Sequence, residues 1–192
     1  MTQPLSDVAR TRRATPDDAP AIAQFGERTF RATFARFNTP RDMDAYVSAT
    51  YGVERQRCEI ADPARAYLLA EVDGALAGFA LLQEGRLPAC DVGPTPVELA
   101  RFYVDQPWQG RGVAHVLMRA VEDEARARGG LTLWLGVWEH NERAIRFYER
   151  VGFVDIGSQP FVLGTDVQTD RVMARPLVGA RPHRARAPAT RR

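Results

Sequence analysis

The chain contains no lysine, and all 26 of its Lys+Arg residues are arginines. Every mechanism that depends on a lysine side chain is therefore excluded. The excluded classes are the phosphate-loop NTPases, the protein kinases with their strand lysine, and enzymes that hold a cofactor as a lysine Schiff base.

Histidine, cysteine and serine are also scarce. The three histidines (His115, His140, His183) and two cysteines (Cys58, Cys90) are too few for a zinc finger, a zinc ribbon or a His-x-x-x-His metalloprotease helix, so we expect no metal. None of the three serines lies in a Gly-x-Ser-x-Gly elbow, which disfavours a serine hydrolase. The two cysteines are expected to be free thiols.

Long apolar runs are missing too. The longest stretches, such as residues 76–82 and 131–138, are much shorter than the roughly 18 residues of a membrane span. Residues 1–4 do not show the charged-then-apolar pattern of a secretion signal. With 192 residues and 45% hydrophobic content, the chain is expected to form one globular cytoplasmic domain with no membrane partner.

The arginines are unevenly distributed. Residues 179–192 carry five arginines and no acid, which leaves residues 1–178 with 21 arginines against 24 acids, a net charge of −3. The terminal segment has almost nothing to bury, so we predict a domain over 1–178 and a disordered Arg-rich tail over 179–192. Nucleic-acid binding by this tail is an alternative, but a solvated terminus is favoured.

The first half of the chain predicts a strand, two helical stretches and a hairpin. Thr15 and Thr39 each precede proline and acidic residues, which is typical of a helix N-terminus. Asp73-Gly74 separates two apolar runs and predicts a tight hairpin turn. The predicted elements are a strand over 8–14, a helix after Thr15, a helical stretch from Thr39 towards Tyr51 and Cys58, strands over 67–72 and 75–82, and a loop over 83–95.

The second half alternates strands and helices more clearly. Strands are predicted over 97–104 and 131–138, with a helix from 113 to Gly129 between them. Asn141 is a good N-cap for a helix that runs to Val151, and two short strands follow near 154–163 and 170–177. This interleaved pattern predicts the α/β (α+β) class.

The turn Gln109-Gly110-Arg111-Gly112-Val113-Ala114 lies between a strand and a helix, where backbone N–H groups and the helix N-terminus can bind an anion. A Rossmann fingerprint is disfavoured, because His115 stands where its third glycine belongs and no acid follows at the required distance. Taken alone, the glycines could equally make only a tight turn.

Three motifs in order resemble the GNAT superfamily of acetyl-CoA-dependent N-acetyltransferases. The sequence Gln109-x-x-Gly112-x-Ala114 is similar to the family's pyrophosphate loop, and residues 98–104 (ELARFYV) resemble its fourth strand. Residues 141–153, with Asn141, Ala144, Tyr148, Gly152 and Phe153, resemble its last signature helix. The resemblance covers residues 8–177 and implies a mixed twisted sheet, flanked by helices, with a splay between two parallel central strands.

The resemblance also implies roles for individual residues toward acetyl-CoA. The loop amides would hold the pyrophosphate, the main chain of the fourth strand would hold the pantetheine arm in the splay, and the signature helix would contact the arm. The residues concerned are Gln109, Gly110, Arg111, Gly112, Val113 and Ala114 in the loop, Phe102, Tyr103 and Val104 in the strand, and Asn141, Ala144 and Tyr148 in the helix.

Two residues match catalytic positions of the family. Tyr148 occupies the place of the general acid that protonates the departing thiolate, with an ordinary core tyrosine as the alternative. Glu98 occupies the place of the glutamate that removes a proton from the amine, directly or through water. An alkyl amine has a pKa of about 10.4, so it must lose a proton before it attacks a thioester.

Within the family, the chain most resembles the Pai-type bacterial spermidine/spermine N-acetyltransferases. The resemblance lies in residues 29–46, 134–141 and 161–170, while Gln159-Pro160 and Thr165 depart from that branch. Aromatic and acidic residues are candidates for binding the small amine: Phe34, Tyr51, Glu98, Trp138 and Glu139. The family also leads us to expect a possible homodimer, and nucleic acid is not an expected partner.

Two other functions stay open on the sequence. One is acetylation of protein N-termini or lysines, which would need an extended acceptor groove. The other is a non-catalytic, CoA-binding regulator that uses the Arg-rich tail to contact a partner.

Overall fold

The computed structural model describes residues 9–177. The predictions for the Arg-rich tail and for Val8 therefore lie outside the described residues. The elements are β1 (Arg10–Arg13), α1 (Ala19–Phe34), α2 (Pro40–Thr50), α3 (Val53–Ala61), β2 (Arg65–Val72), β3 (Ala75–Gln83), β4 (Pro96–Val104), α4 (Val113–Ala127), β5 (Thr132–Trp138), α5 (Glu142–Arg150), β6 (Val154–Leu163) and β7 (Asp166–Pro176).

The strands form one seven-stranded sheet in the order β1-β2-β3-β4-β5-β7-β6. Neighbouring strands are antiparallel except β4 and β5, which are parallel. This is the mixed sheet that the family resemblance implies. Since a parallel pair needs a crossover connection, α4 lies between β4 and β5 in the chain.

Helices cover both faces of the sheet. Apolar side chains of α4, including Val113, Leu117 and Val121, pack with Leu133 and Leu135 on one face. On the other face, α1 packs against the inward side chains of β2 and β3. We call these the α4 face and the α1 face, and the alternation of side chains along each strand assigns residues to one or the other.

The central parallel pair separates partway along its length. β4 and β5 are paired only at Pro96–Thr132, Val97–Leu133 and Glu98–Trp134. Residues 99–104 and 135–138 continue as strands without pairing to each other. A bulge at Ala100 accompanies this splay, because a bulged strand bends and twists more strongly.

The structure corrects the prediction of one helical stretch running from Thr39 towards Cys58. α2 ends at Thr50, and α3 begins at Val53 after an extended Gly52 (φ −66°, ψ 142°). Tyr51 is turned into the core at this break, where only a glycine at position 26 leaves room for its ring. Gln56 then caps the end of α2 by donating to the Thr50 carbonyl at 2.7 Å.

The last strand also begins earlier than predicted, at Asp166 instead of residue 170. A turn at Gly164-Thr165 joins it to β6, and Gly164 has a positive φ of 62°. Asp42 of α2 accepts hydrogen bonds from the amide and hydroxyl of Thr165 at 2.8 and 3.1 Å. This contact fastens the hairpin to α2, so β7 pairs from its first residue.

None of the helices within residues 9–177 combines the length and the apolar character that a membrane crossing requires.

Candidate active site

The predicted pyrophosphate loop follows β4 and ends at the N-terminus of α4. Gly112 is the N-cap of α4 with φ 90°, and Gly110 has φ 72°. The first amides of the helix, at Val113 and Ala114, have no acceptor among residues 9–177. A Cβ at Gly110 would meet nothing within 4 Å, so an anion can approach the backbone here. The loop therefore fits a pyrophosphate group.

Gln109 connects this loop to the two neighbouring elements. Its Nε2 donates to the Val104 carbonyl at the end of β4 (2.8 Å), and its Oε1 accepts from the Arg143 guanidinium of α5. Arg111 lies over the Trp108 ring at 5.3 Å. Arg111 and Arg143 thus place two positive charges beside the free amides, where negative phosphates would bind. Sequence reasoning missed Arg143.

The predicted strand residues lie on the edge of the splay. Phe102 and Val104 direct their side chains to the α4 face, whereas Tyr103 packs with the α1-face clusters. The Tyr103 hydroxyl is hydrogen-bonded to the Tyr51 hydroxyl at 2.8 Å. Because β5 does not pair with this part of β4, the main chain of residues 102–104 is open toward the gap.

Tyr148 lies on the α4 face, in the middle of an aromatic cluster. Its ring packs against Phe102, Phe147 and Phe153 at centroid distances of 6.3, 5.5 and 5.6 Å. Its hydroxyl makes no hydrogen bond within the described residues and remains accessible to solvent. Burial, and then the neighbouring Tyr103, raises the pKa of Tyr148, so the hydroxyl keeps its proton at neutral pH.

Asn141 performs the N-cap role that the sequence predicts. Its Oδ1 accepts from the Ala144 amide at 3.3 Å at the start of α5. That bond occupies the carbonyl oxygen and leaves the Nδ2 group for another partner. Asn141, Ala144 and Tyr148 follow one another along one side of α5, as their spacing indicates.

Glu98 is buried, with 4% of its surface exposed, and belongs to the last pair of residues before the splay. It accepts hydrogen bonds from Gln83 at 2.6 Å and from Arg86 at 3.4 Å. Burial raises its pKa, while Arg86 and Gln83 oppose the rise. A carboxylate with a raised pKa is suited to accept a proton near neutral pH.

The predicted acceptor residues separate into three groups. Phe34 and Trp138 are half-buried and touch each other at 5.7 Å, with Phe37 against the same indole at 4.8 Å. Tyr51 is a core residue, 4% exposed, whose hydroxyl holds Tyr103. Glu139 is exposed beyond the end of β5. Phe34, Trp138 and Tyr103 thus share the α1 face beside the splay.

A second buried acid, Asp170, lies on this face and was missed by the sequence analysis. It pairs with Trp138 of β5 and is 9% exposed. Its carboxylate packs over Gly136, where a Cβ would lie 3.0 Å from Oδ2. Burial raises its pKa to about 6, with Arg86 opposing. The signal was present in β7, where Asp170 precedes the apolar Val172 and Ala174 in the alternate positions that face the α1 side.

No group of three or more His, Cys, Asp and Glu side chains within residues 9–177 is arranged to hold a metal ion.

Comparison with known proteins agrees with this geometry. The model of the acetyltransferase (GNAT) family matches residues 29–153, so the chain belongs to this family. A relative from Lactobacillus delbrueckii subsp. lactis, named an uncharacterized N-acetyltransferase, is 35% identical over 161 residues, which cover 84% of this chain and 93% of that protein. The chain is therefore an acetyl-CoA-dependent N-acetyltransferase.

Solved structures share the fold. A PaiA N-acetyltransferase from Thermoplasma acidophilum in complex with coenzyme A matches with a TM-score of 0.72 and 20% identity, covering 88% of this chain and 98% of that one. A protein described as a putative acetyltransferase from Salmonella typhimurium with acetyl-CoA gives 0.63 and 23%, covering 94% and 99%. The expected mixed sheet with a splay is thereby confirmed.

Proposed function

We propose that the protein acetylates a primary amine of a small cationic molecule, with a polyamine such as spermidine as the first candidate. The observation that carries this proposal is the α1 face at the splay, where aromatic rings and buried carboxylates lie together. Aromatic faces and carboxylates both attract an ammonium group. Neither the Lactobacillus relative nor the two solved structures identifies an acceptor for this chain, so the substrate class rests on this side-chain chemistry.

The proposed reaction is a direct transfer in a ternary complex of protein, acetyl-CoA and amine. Acetyl-CoA supplies the acetyl group as a thioester. Among the protein's own residues, Glu98 takes a proton from the ammonium group, directly or through a water molecule, so that the amine can attack. The C–N bond forms as the C–S bond breaks.

Tyr148 completes the proton balance on the other side of the splay. Its hydroxyl is protonated and unbonded, and we assign it the role of donating a proton to the departing thiolate. The amide groups at the edge of β4 would bind the carbonyl oxygen as negative charge develops on it. The loop at Gln109–Ala114 and Asn141 would hold the phosphates and the arm in place.

One departure from the polyamine branch has a structural reason. Thr165 stands where that branch has an acid, and in this chain both its amide and its hydroxyl donate to Asp42. An acid at position 165 could not make the hydroxyl bond to this carboxylate. The substitution therefore belongs to the attachment of the hairpin, and it does not argue against a cationic acceptor.

Two further parts of the proposal concern the protein in the cell. An enzyme that consumes acetyl-CoA needs a compartment that contains it, which supports a cytoplasmic location. A homodimer, and an independent domain over residues 1–178, stay predictions that gel filtration of the full chain and of a chain ending at residue 178 would test.

The proposed function is tested by measuring thiol release from acetyl-CoA with a panel of amines. The panel contains spermidine, spermine, amino acids, aminoglycosides, and peptides with a free N-terminus or a lysine. We expect release with the polyamines. Release with peptides alone would replace this proposal with protein acetylation, and tight CoA binding without any release would favour the regulator.

A further inference from the structure

We propose that Asp170, over Gly136 on the α1 side of the splay, is the carboxylate that binds the acceptor ammonium group and accepts its proton. This inference rests on the proposed function and deepens it, because it assigns a second acid to the acceptor side of the same site. The family resemblance includes Asp170 in a matching segment but assigns it no role.

Asp170 is largely buried and makes no hydrogen bond within residues 9–177. Glu98, another buried acid of this face, already accepts hydrogen bonds from Gln83 and Arg86. The carboxylate of Asp170, by contrast, has no hydrogen-bond donor among residues 9–177, and its oxygens remain accessible to solvent although only 9% of the residue's surface is exposed. A largely desolvated carboxylate without a donor would be stabilised by a cationic ligand that reaches it.

Asp170 also lies beside the gap between β4 and β5. Gly136 lies in the part of β5 that no longer pairs with β4. Its missing side chain makes room for the carboxylate, because a Cβ would lie 3.0 Å from Oδ2 and 2.9 Å from Nε2 of Gln159. The carboxylate therefore stands at the edge of the splay, through which a thioester would reach the amine.

Few positive charges act on the Asp170 carboxylate within the described residues. Arg86 is the cation whose charge acts on it, while Tyr46 from α2 and Tyr103 from β4 are the titratable groups that its charge acts on in turn. Arg86 is also shared with Glu98, and more than half of its side chain is exposed. Arg65 also acts on Glu98, whereas the largely exposed Arg86 is the one cation that acts on Asp170 within the described residues, which leaves negative charge on Asp170 for a substrate ammonium.

The step balances as follows. The ammonium N–H bond breaks and its proton passes to an Asp170 oxygen, which leaves a neutral amine with a lone pair. That lone pair attacks the thioester carbonyl, so the C–N bond forms and the C–S bond breaks. The nitrogen loses its second proton to solvent, the departing thiolate takes the proton of Tyr148, and solvent returns a proton to Tyr148 and removes the one held by Asp170. In this assignment Asp170 replaces Glu98 as the group that accepts the ammonium proton, and the role of Glu98 becomes to hold Gln83 and Arg86 at the start of the splay.

The test compares Asp170→Asn with Glu98→Gln and with Asp166→Asn as a matched control. Asp166 lies on the same strand but is exposed and contacts Gln168. The readouts are kcat/KM for the amine that gives the fastest thiol release in the panel, and the affinity for CoA. We expect Asp170→Asn to lower kcat/KM by about 100-fold or more, within the range of general-base catalysis, with CoA affinity and the control unchanged.

A second variant separates position from charge. Gly136→Ala keeps the carboxylate but displaces it or Gln159, since the new Cβ would crowd both. We expect an intermediate loss of kcat/KM, about 10-fold, with CoA affinity retained. Activity of Asp170→Asn within 3-fold of wild type would overturn the inference while leaving the proposed function intact.

A binding measurement covers the case in which the wild type releases no thiol with any amine, which is how the proposed function would fail. Spermidine is then titrated calorimetrically into the CoA-saturated proteins. Binding to wild type that Asp170→Asn loses and Asp166→Asn keeps supports Asp170 as the ammonium-binding group. Equal binding to all three proteins, or binding to none, overturns it.

Discussion

The two faces of the sheet at the splay are built from different kinds of chemical groups. On the α4 face, the surface that fits acetyl-CoA consists of backbone amides and glycines from one short segment, Gln109–Ala114, together with α5. On the α1 face, the proposed acceptor surface consists of side chains from α1, α2, β4, β5 and β7, which are far apart in the chain. A shared co-substrate can thus be read from a contiguous motif, whereas the acceptor depends on tertiary packing.

The largest effect is expected from breaking the backbone site. Gly112→Val forces a β-branched residue into φ 90° at the N-cap of α4, so CoA affinity should fall by about 100-fold or more. Titration calorimetry with CoA measures this. Gly74→Val, at φ 78° in the β2–β3 turn, introduces similar strain outside the loop. If Gly74→Val lost CoA binding equally, general strain and not the loop would be the cause.

A smaller loss is expected from changing Tyr148, the proposed general acid on the same face. Tyr148→Phe removes one hydroxyl and keeps the ring packed against Phe102 and Phe153. Turnover should fall by about 10- to 100-fold while CoA affinity stays near the wild-type value, because the proton is needed only as the thiolate leaves. Steady-state kinetics with saturating acetyl-CoA measure kcat, and an unchanged kcat would remove Tyr148 from the mechanism.

On the α1 face, a change should act on the acceptor alone. Trp138→Leu removes the aromatic surface that Phe34 and Phe37 support, and cation–π attraction of about 1 kcal/mol would go with it. KM for the cationic amine should rise by about 5-fold, and KM for acetyl-CoA should not change. An equal rise in both KM values would show that the two faces are not separable in this way.

The smallest expected effect is a pH-dependent change in stability. Burial raises the pKa of Asp170 from 3.8 to about 6 in the folded state, so between those values the folded chain keeps a proton that the unfolded chain releases. Stability contributed by the protonated group is therefore lost as pH rises through about 6. Asp170→Asn avoids this loss.

Thermal melting of Asp170→Asn and wild type at pH 5 and pH 8 measures the difference. The variant should melt about 3 °C or more above wild type at pH 8, and the gap should be smaller at pH 5. A gap that does not depend on pH would mean that Asp170 does not titrate in this range. The groups whose charges are coupled to that of Asp170 are Arg86, Tyr46 and Tyr103. A pH-independent gap would mean that this coupling differs from the one described above.

The sequence predicts the fold well because its signals are local. Asn141 caps α5 as expected, Asp73-Gly74 makes the β2–β3 turn, and Gly112 ends the loop with a positive φ. The break between α2 and α3 was not predicted, because it depends on the ring of Tyr51 fitting against Gly26. That fit is a contact between distant segments, which periodicity does not report.

The parts of the candidate site that depend on local motifs were also predictable. The positions of the loop and of Tyr148 follow from motifs that fix their neighbours along the chain. Asp170 and Arg143 were missed, because their importance comes from Gly136 and Gln109, residues more than thirty positions away. The local sign that could have indicated Asp170 is an acid in line with Val172 and Ala174, the apolar residues at the next alternate positions of β7.

The separation of β4 and β5 also has a mechanical consequence. The strands on either side of the gap are joined through only three pairs of residues, so the sheet is weakest at its centre. Strand edges that do not pair exchange their amide hydrogens readily with solvent. A co-substrate bound along the gap would bridge the two halves, and hydrogen exchange in residues 99–104 should slow when CoA binds. The acetyl donor would then act as a temporary piece of the sheet, stiffening the enzyme for as long as it is held.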